Sequence, residues 1–174
     1  MKQPTVTPTG IERFFPEEDI IVSKTDIKGR ITYANETFLN IAGYTEEEIL
    51  GKPHNIIRHP DMPRCVFKLL WDTLNQRQEI FAYVKNMSKN GDHYWVFAHV
   101  TPTFDDYNQV VGYHSSRRVP ERSQVELFTG VYQQLLEEEQ RHGDWRTGME
   151  AATKMLVDMI AAKGMQYEEF VFSV

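Results

Sequence analysis

A single cysteine, Cys65, in a chain of 174 residues excludes an intrachain disulfide framework and fits a reducing compartment. The N-terminus lacks the charged-then-apolar pattern of a signal peptide, so the cytoplasm is the expected address. No apolar run approaches the roughly 18 residues that would span a bilayer. The nearest, Met155 to Ala162, is interrupted, and direct membrane insertion is not expected. Basic clusters are also missing. With a formal net charge of -6, Arg117 and Arg118 alone make no face for counterion release, which argues against nucleic acid as a partner. Nucleophile-elbow, P-loop, zinc-ligand and Rossmann glycine patterns are absent, and the lone cysteine has no base beside it, so no enzymatic activity is expected. There is no internal repeat.

What is present is one stretch of unusual density, Gly51 to Trp71, with two histidines, two arginines, three prolines, an aspartate and a tryptophan. Pro53, Pro60 and Pro63 each fix φ and remove a backbone donor, so regular structure breaks repeatedly before Pro63 and resumes after it. From Arg64 onward Val66, Phe67, Leu70, Trp71 and Leu74 recur at helical spacing, which predicts Trp71 on the buried face of a helix. A proline-braced cationic loop leading into such a helix is the layout of a pocket wall.

The remaining chain reads in order. Residues 1–18 form an expected flexible arm, because the first ten hold two prolines, three threonines and a glycine and have little to bury. Ile20 to Thr25 and Arg30 to Tyr33, joined through Asp26 to Gly29, read as a hairpin. Asn35 suits an N-cap and Gly43 a left-handed C-terminal stop, while Thr45 with Glu48 reads as a capping box for a second short helix. After the Arg64 helix, Glu79 to Met87 and His93 to Thr101 pair through Lys89-Asn90-Gly91-Asp92, and Asn-Gly is the strongest short-range hairpin signal. Both faces of the second of these strands are partly apolar, so at least one must be covered. Val110 to Arg117 is a last strand. The sum is an α+β domain over residues 19–120, with short helices inserted after the second of five strands, and a helical extension over 121–174. In that extension Val125, Phe128, Val131, Tyr132, Leu135 and Leu136 form one stripe. Met149, Ala152, Met155, Leu156, Met159 and Ile160 form a second, and Phe170 to Val174 is an apolar end. The first stripe must be buried, on the open sheet face or against a second copy.

The strings Tyr-Ala-Asn-Glu-Thr-Phe (33–38), Gly-Tyr-Thr-Glu-Glu-Glu (43–48), Pro-His-Asn-Ile-Ile-Arg-His-Pro-Asp-Met-Pro (53–63) and Lys-Asn-Gly-Asp-His-Tyr-Trp-Val (89–96), in this order of elements, resemble a PAS domain of the bacterial aerotaxis-receptor type. The resemblance covers about residues 19 to 118. It implies a PAS fold with a five-stranded antiparallel sheet, holding FAD noncovalently and reporting redox or oxygen status. Receptors of this type continue into a membrane anchor and a signalling domain, neither of which is expected from these 174 residues. Output is therefore expected through a protein signalling partner, a chemoreceptor or another such protein, and a homodimer is compatible with it.

A flavin needs a flat apolar slot, donors and acceptors at its ring edge, and cations or amides at its pyrophosphate. Trp71 suits stacking, the Asn86 amide suits the ring edge and Arg58 suits a two-pronged phosphate contact, at positions the family uses for its flavin. Taken singly, Trp71 also fits a core position, Asn86 a strand-end amide and Arg58 a surface ion pair. His59 and Asp61, flanking Pro60, would set an imidazole beside a carboxylate near the pocket mouth, and Asp61 equally suits helix capping. Asn35 would donate to the ligand or start its helix. Of Tyr94 and Trp95, alternation lets only one face the slot, and Tyr94 is assigned to the cofactor. Haem is a rival through His54, His59, His93 or His99, although residues 61–75 place none of these on the long helix. Flavin photoadduct domains carry Asn-Cys where this chain has His54-Asn55, and Cys65 is displaced from that place. A cofactor-free PAS interaction module remains the alternative of a different class.

Overall fold

The computed structural model describes residues 6–174. Five strands form one antiparallel sheet in the order β2-β1-β5-β4-β3, comprising β1 (Ile21–Asp26), β2 (Ile31–Ala34), β3 (Ile80–Met87), β4 (His93–Phe104) and β5 (Val110–Arg118). Between β2 and β3 come α1 (Glu36–Ala42), α2 (Glu46–Ile49), a 3-10 turn (His54–Ile57) and α3 (Arg64–Asn75). This is the expected five-stranded architecture, and its local stops are the expected ones. Asn35 accepts from Phe38 N–H, Gly43 ends α1 in the left-handed region at φ 74°, and the Thr45/Glu48 capping box is closed at both bonds.

Alternation along the strands sorts the sheet into two faces. Val84 and Asn86 of β3, Val96 and Ala98 of β4, and Ser115 and Arg117 of β5 look toward α3. Tyr83, Trp95 and Phe97 look the other way, where they meet the helices after β5: α4 (Arg122–Gln140), α5 (Trp145–Ala161) and α6 (Tyr167–Ser173). Phe128 stacks on Tyr83 at 4.3 Å between centroids, Tyr132 Oη donates to the Tyr83 carbonyl at 2.6 Å, and Phe172 of α6 meets Phe81 and Phe97. The first apolar stripe is therefore buried on the sheet of its own chain. The apolar end is itself helical, started by a Gln166/Glu169 capping box.

Three placements differ from the sequence reading. Residues 9–13, expected within a flexible arm, pair with the start of the β4 hairpin: Thr9 N–H donates to Gly91 O, His93 N–H to Ile11 O and Arg13 N–H to His93 O. Backbone pairing of this kind needs no apolar pattern, and composition does not register it. The first five residues of that arm lie outside the described residues. Trp71, expected on the buried face of α3, is 39% exposed, because the closed core takes Cys65 and Val66 while Phe67, Leu70, Trp71 and the buried Leu74 line a cavity. Asp61 does not cap α3. Its carboxylate meets Lys85 Nζ at 2.7 Å, and the N–H of Cys65 donates instead to Glu139 Oε1 of α4 at 2.9 Å.

Candidate functional site

A cavity of about 670 Å³ lies between the inner sheet face, the 3-10 turn, α3 and the first turn of α5, a volume ordinary for a small-molecule site. Its walls are mostly apolar, with polar groups gathered at two ends.

At the inner end stands Arg117. Its position on β5, in phase with Tyr113 and Ser115, aims it inward, and it is only 2% exposed. One terminal nitrogen donates to Ser23 Oγ, and its guanidinium lies 4.5 Å over the Phe38 ring. Nε and the other terminal nitrogen have no hydrogen-bond partner among the described residues. Burial lowers the guanidinium to about 10, which still leaves it charged at neutral pH. Beside it His54, carried in by the 3-10 turn after Pro53, stacks on Phe38 at 5.9 Å and shares a 2.9 Å bond between Nε2 and Ser23 Oγ. Desolvation, reinforced by the Arg117 charge, pushes this imidazole down to about 3. The neutral ring therefore accepts the proton that the Ser23 hydroxyl, already accepting from Arg117, has left to donate. Asn86, buried on β3 and bridged through its backbone to Arg58, also lines the cavity.

At the mouth, Arg58 and Arg64 both line the cavity. The Arg58 guanidinium lies 4.4 Å over Phe67 and donates to Met62 O, and burial first, then the neighbouring Arg64 charge, lowers its pKa. Trp71 packs edge-on to Tyr113 at 5.3 Å. Beside the indole the β1–β2 turn takes Gly29 at φ 75°, a conformation that favours glycine, while a Cβ there would meet the ring only at an ordinary contact distance of 3.5 Å. The ring is thus held in place with part of its surface open to the cavity.

Of the residues singled out in the sequence, Arg58, Trp71 and Asn86 converge on this cavity; Asn35, His59, Asp61 and Tyr94 do not line it. Asn35 spends its amide on structure, accepting from Val22 and Phe38 N–H and donating to Ile20 O. His59 is buried edge-on to His93 at 5.8 Å, accepts from Asp61 N–H at Nδ1, and is pushed down to about 4 by desolvation and then by Lys85. Tyr94 lies opposite Asn86 in the β3–β4 register, with its buried hydroxyl unpartnered among the described residues. Cys65 is buried away from the cavity, its thiol pushed up to about 12 by burial and by Glu139. Sequence reasoning passed over Arg117, Ser23, Trp145 and Met149 as site residues and weighed His54 only as a haem ligand. For Arg117 a signal existed, since strand alternation from Tyr113 already points it inward.

The profile of the family described as PAS fold matches residues 31–117. The aerotaxis receptor of Escherichia coli K12 is 39% identical over 119 residues, 68% of this chain and 23% of that protein. The nitrogen fixation regulatory protein of Klebsiella pneumoniae is 28% identical over 102 residues, 59% of this chain and 21% of that one. The chain thus spans under a quarter of the length of these curated relatives. Among solved structures, the dark form of the blue-light photoreceptor Aureochrome1 LOV superposes with a TM-score of 0.57 at 23% identity, covering 67% of this chain and 86% of that one, and supports the fold. With the sheet order, the helices inserted after β2 and the proline-framed loop at the cavity, these matches make the chain a member of the PAS family, of the aerotaxis-receptor type.

Proposed function

We propose that this protein is a sensory signal-transduction module that binds FAD noncovalently in the cavity and reports redox or oxygen status to a protein signalling partner. The observation that carries the reading is Arg117, a buried cation aimed into an otherwise apolar cavity with two donor atoms unpartnered among the described residues. Buried donors are nearly always satisfied, so a group of this kind points to a ligand that supplies acceptors at that depth. The residues fit a flavin on chemical grounds. Arg117 and the Asn86 amide offer donors and an acceptor to a ring edge, Trp71 and the Val84, Val96 and Ala98 surface supply apolar faces, and Arg58 with Arg64 meets a pyrophosphate. Bound flavin would supply reversible electron uptake. The chain's own part is to bind and orient it, and to hold fixed charge at its edge in a site where water is scarce. Asn35, His59, Asp61 and Tyr94 act behind this first layer, through the β1–α1 junction, the loop before α3 and the strand pair carrying Asn86. No described helix is long and apolar enough to cross a membrane, and output through a partner, a chemoreceptor or another signalling protein, follows from the same reading.

The absorption spectrum of the purified protein is the test. Flavin bands, with FAD released on heating, are expected. A colourless protein that also fails to take up added FAD overturns the reading in favour of a cofactor-free interaction module, and a Soret band overturns it in favour of haem, with His54 the cavity histidine.

A further inference from the structure

We infer that the first turn of α5, outside the segment matched by the family profile, completes the cofactor pocket and takes the adenosine half of a dinucleotide, so that Trp145 sets the preference for FAD over FMN. This rests on the flavin reading above and adds a subsite to it.

Trp145 and Met149 line the same cavity as Arg117 and Asn86, and Trp145 stands there beside Arg64, whose guanidinium lies 6.0 Å from the centre of its ring. They arrive there by a fixed route. After α4 crosses the outer sheet face, its buried Glu139 reaches α3 and accepts the Cys65 N–H at 2.9 Å. On α5, Gly148 lies so close to α4 that a Cβ would overlap the Glu139 carbonyl oxygen. One residue therefore ties α4 to α3 by its side chain and to α5 by its backbone. Asp144 then starts α5 by accepting from Arg146 and Thr147 N–H, each at 3.0 Å, which sets the Trp145 ring at the cavity mouth.

The chemistry there is that of a phosphate followed by a flat base. Arg58 and Arg64 both line the cavity, and burial first and then the Arg64 charge lower the Arg58 pKa, so an anion between them would favour the charged pair. Lys68 pairs with Asp72, and Arg58, Arg64 and Lys28 also line the cavity as cations. Beyond them the Trp145 ring is 52% exposed, with the Arg64 guanidinium 6.0 Å and that of Arg146 5.0 Å from its centre. An exposed indole among guanidinium groups stacks a purine and attracts the charge attached to it. A mononucleotide ends at its phosphate and carries no purine for the indole to stack on. Base stacking on an aromatic side chain changes affinity roughly five- to 150-fold.

The experiment titrates the full-length protein, freed of bound flavin, with FAD, FMN and riboflavin, following flavin fluorescence. Wild type should bind FAD at least fivefold more tightly than FMN. Trp145→Ala should lose at least that factor for FAD and leave FMN and riboflavin unchanged, while Trp145→Phe keeps most of the preference. Because the ring is half exposed, the variants should melt like wild type, and hydrogen exchange over residues 145–149 should slow with FAD and not with FMN. Equal affinity of wild type for FAD and FMN, or a Trp145→Ala effect that is nil or the same for both, overturns this inference and leaves the flavin reading standing. A wild type that binds none of the three overturns both.

Discussion

At the scale of single residues, Arg117 has conflicting duties. Its guanidinium is buried with no carboxylate against it among the described residues, and such a charge costs the fold more than a hydrophobe of similar size would. Arg117→Met should therefore raise the stability of the cofactor-free protein by about 1 kcal/mol or more, while lowering its affinity for FAD at least tenfold. Denaturant melts of the apo protein and flavin titration measure the two effects separately, which is needed because bound cofactor itself stabilises the native state. A variant that loses stability and keeps full affinity would show Arg117 to be structural. That Arg58, Trp71 and Asn86 line the cavity could be expected beforehand, Arg58 from the proline-framed string, Trp71 from the dense stretch it closes and Asn86 from the family resemblance. Arg117 was less legible, because its meaning comes from what surrounds it: Ser23 and Phe38, brought to it by β1–β5 pairing and by α1.

At the scale of elements, α3 is the wall whose start is secured from elsewhere. Pro63 at its N-cap offers no side-chain acceptor, so the N–H groups of the first turn need one from outside. Glu139, 74 residues further along, supplies it and places a negative charge at the positive end of the helix. Glu139→Ala leaves the buried Cys65 N–H without an acceptor and should cost about 1–3 kcal/mol, with faster hydrogen exchange at the start of α3. Glu139→Gln, which keeps an acceptor oxygen, should cost less. Equal stability of the alanine variant and wild type would mean that the Glu139 bond does not stabilise the start of α3. The start and length of α3 could be read from Pro63 and the spacing of Val66, Leu70 and Leu74. Its cap could not, since no local pattern links Cys65 to a glutamate near the end of α4.

At the scale of the whole molecule, the cavity and the loop before α3 each hold a histidine that the fold keeps neutral. His54 is pushed down to about 3 in the cavity, and His59 to about 4 beside Lys85 and His93. Both folded values lie below the ordinary histidine value near 6.5, so between pH 6.5 and about 4 the unfolded chain takes up protons that the native state refuses. Stability should be fully present above pH 6.5 and fall as the pH drops, by up to about 1.4 kcal/mol per pH unit for each histidine. Below about 4 His59 protonates in the fold and its share of the slope ends, while that of His54 continues to about 3. Urea melts between pH 7 and 4.5 read this slope, and His59→Gln should reduce it by up to half. A flat profile over that range would mean that neither ring is held neutral.

By itself the sequence determined the strands, their hairpins, the short capped helices and the family, because these signals are local: a period of two or 3.6, a Gly after a helix, an Asn-Gly turn, a proline-framed string. The tertiary structure decided what no window of residues contains. It set residues 9–13 beside the β4 hairpin, turned Trp71 from core to cavity wall, laid α4 on its own sheet and brought α5 to the pocket. The physical reason is distance along the chain. The bonds that build the site join Ser23 to Arg117, 94 residues apart, and Cys65 to Glu139, 74 apart. Such partners are chosen by which apolar faces must be buried against each other, and their polar chemistry follows from where that burial leaves them.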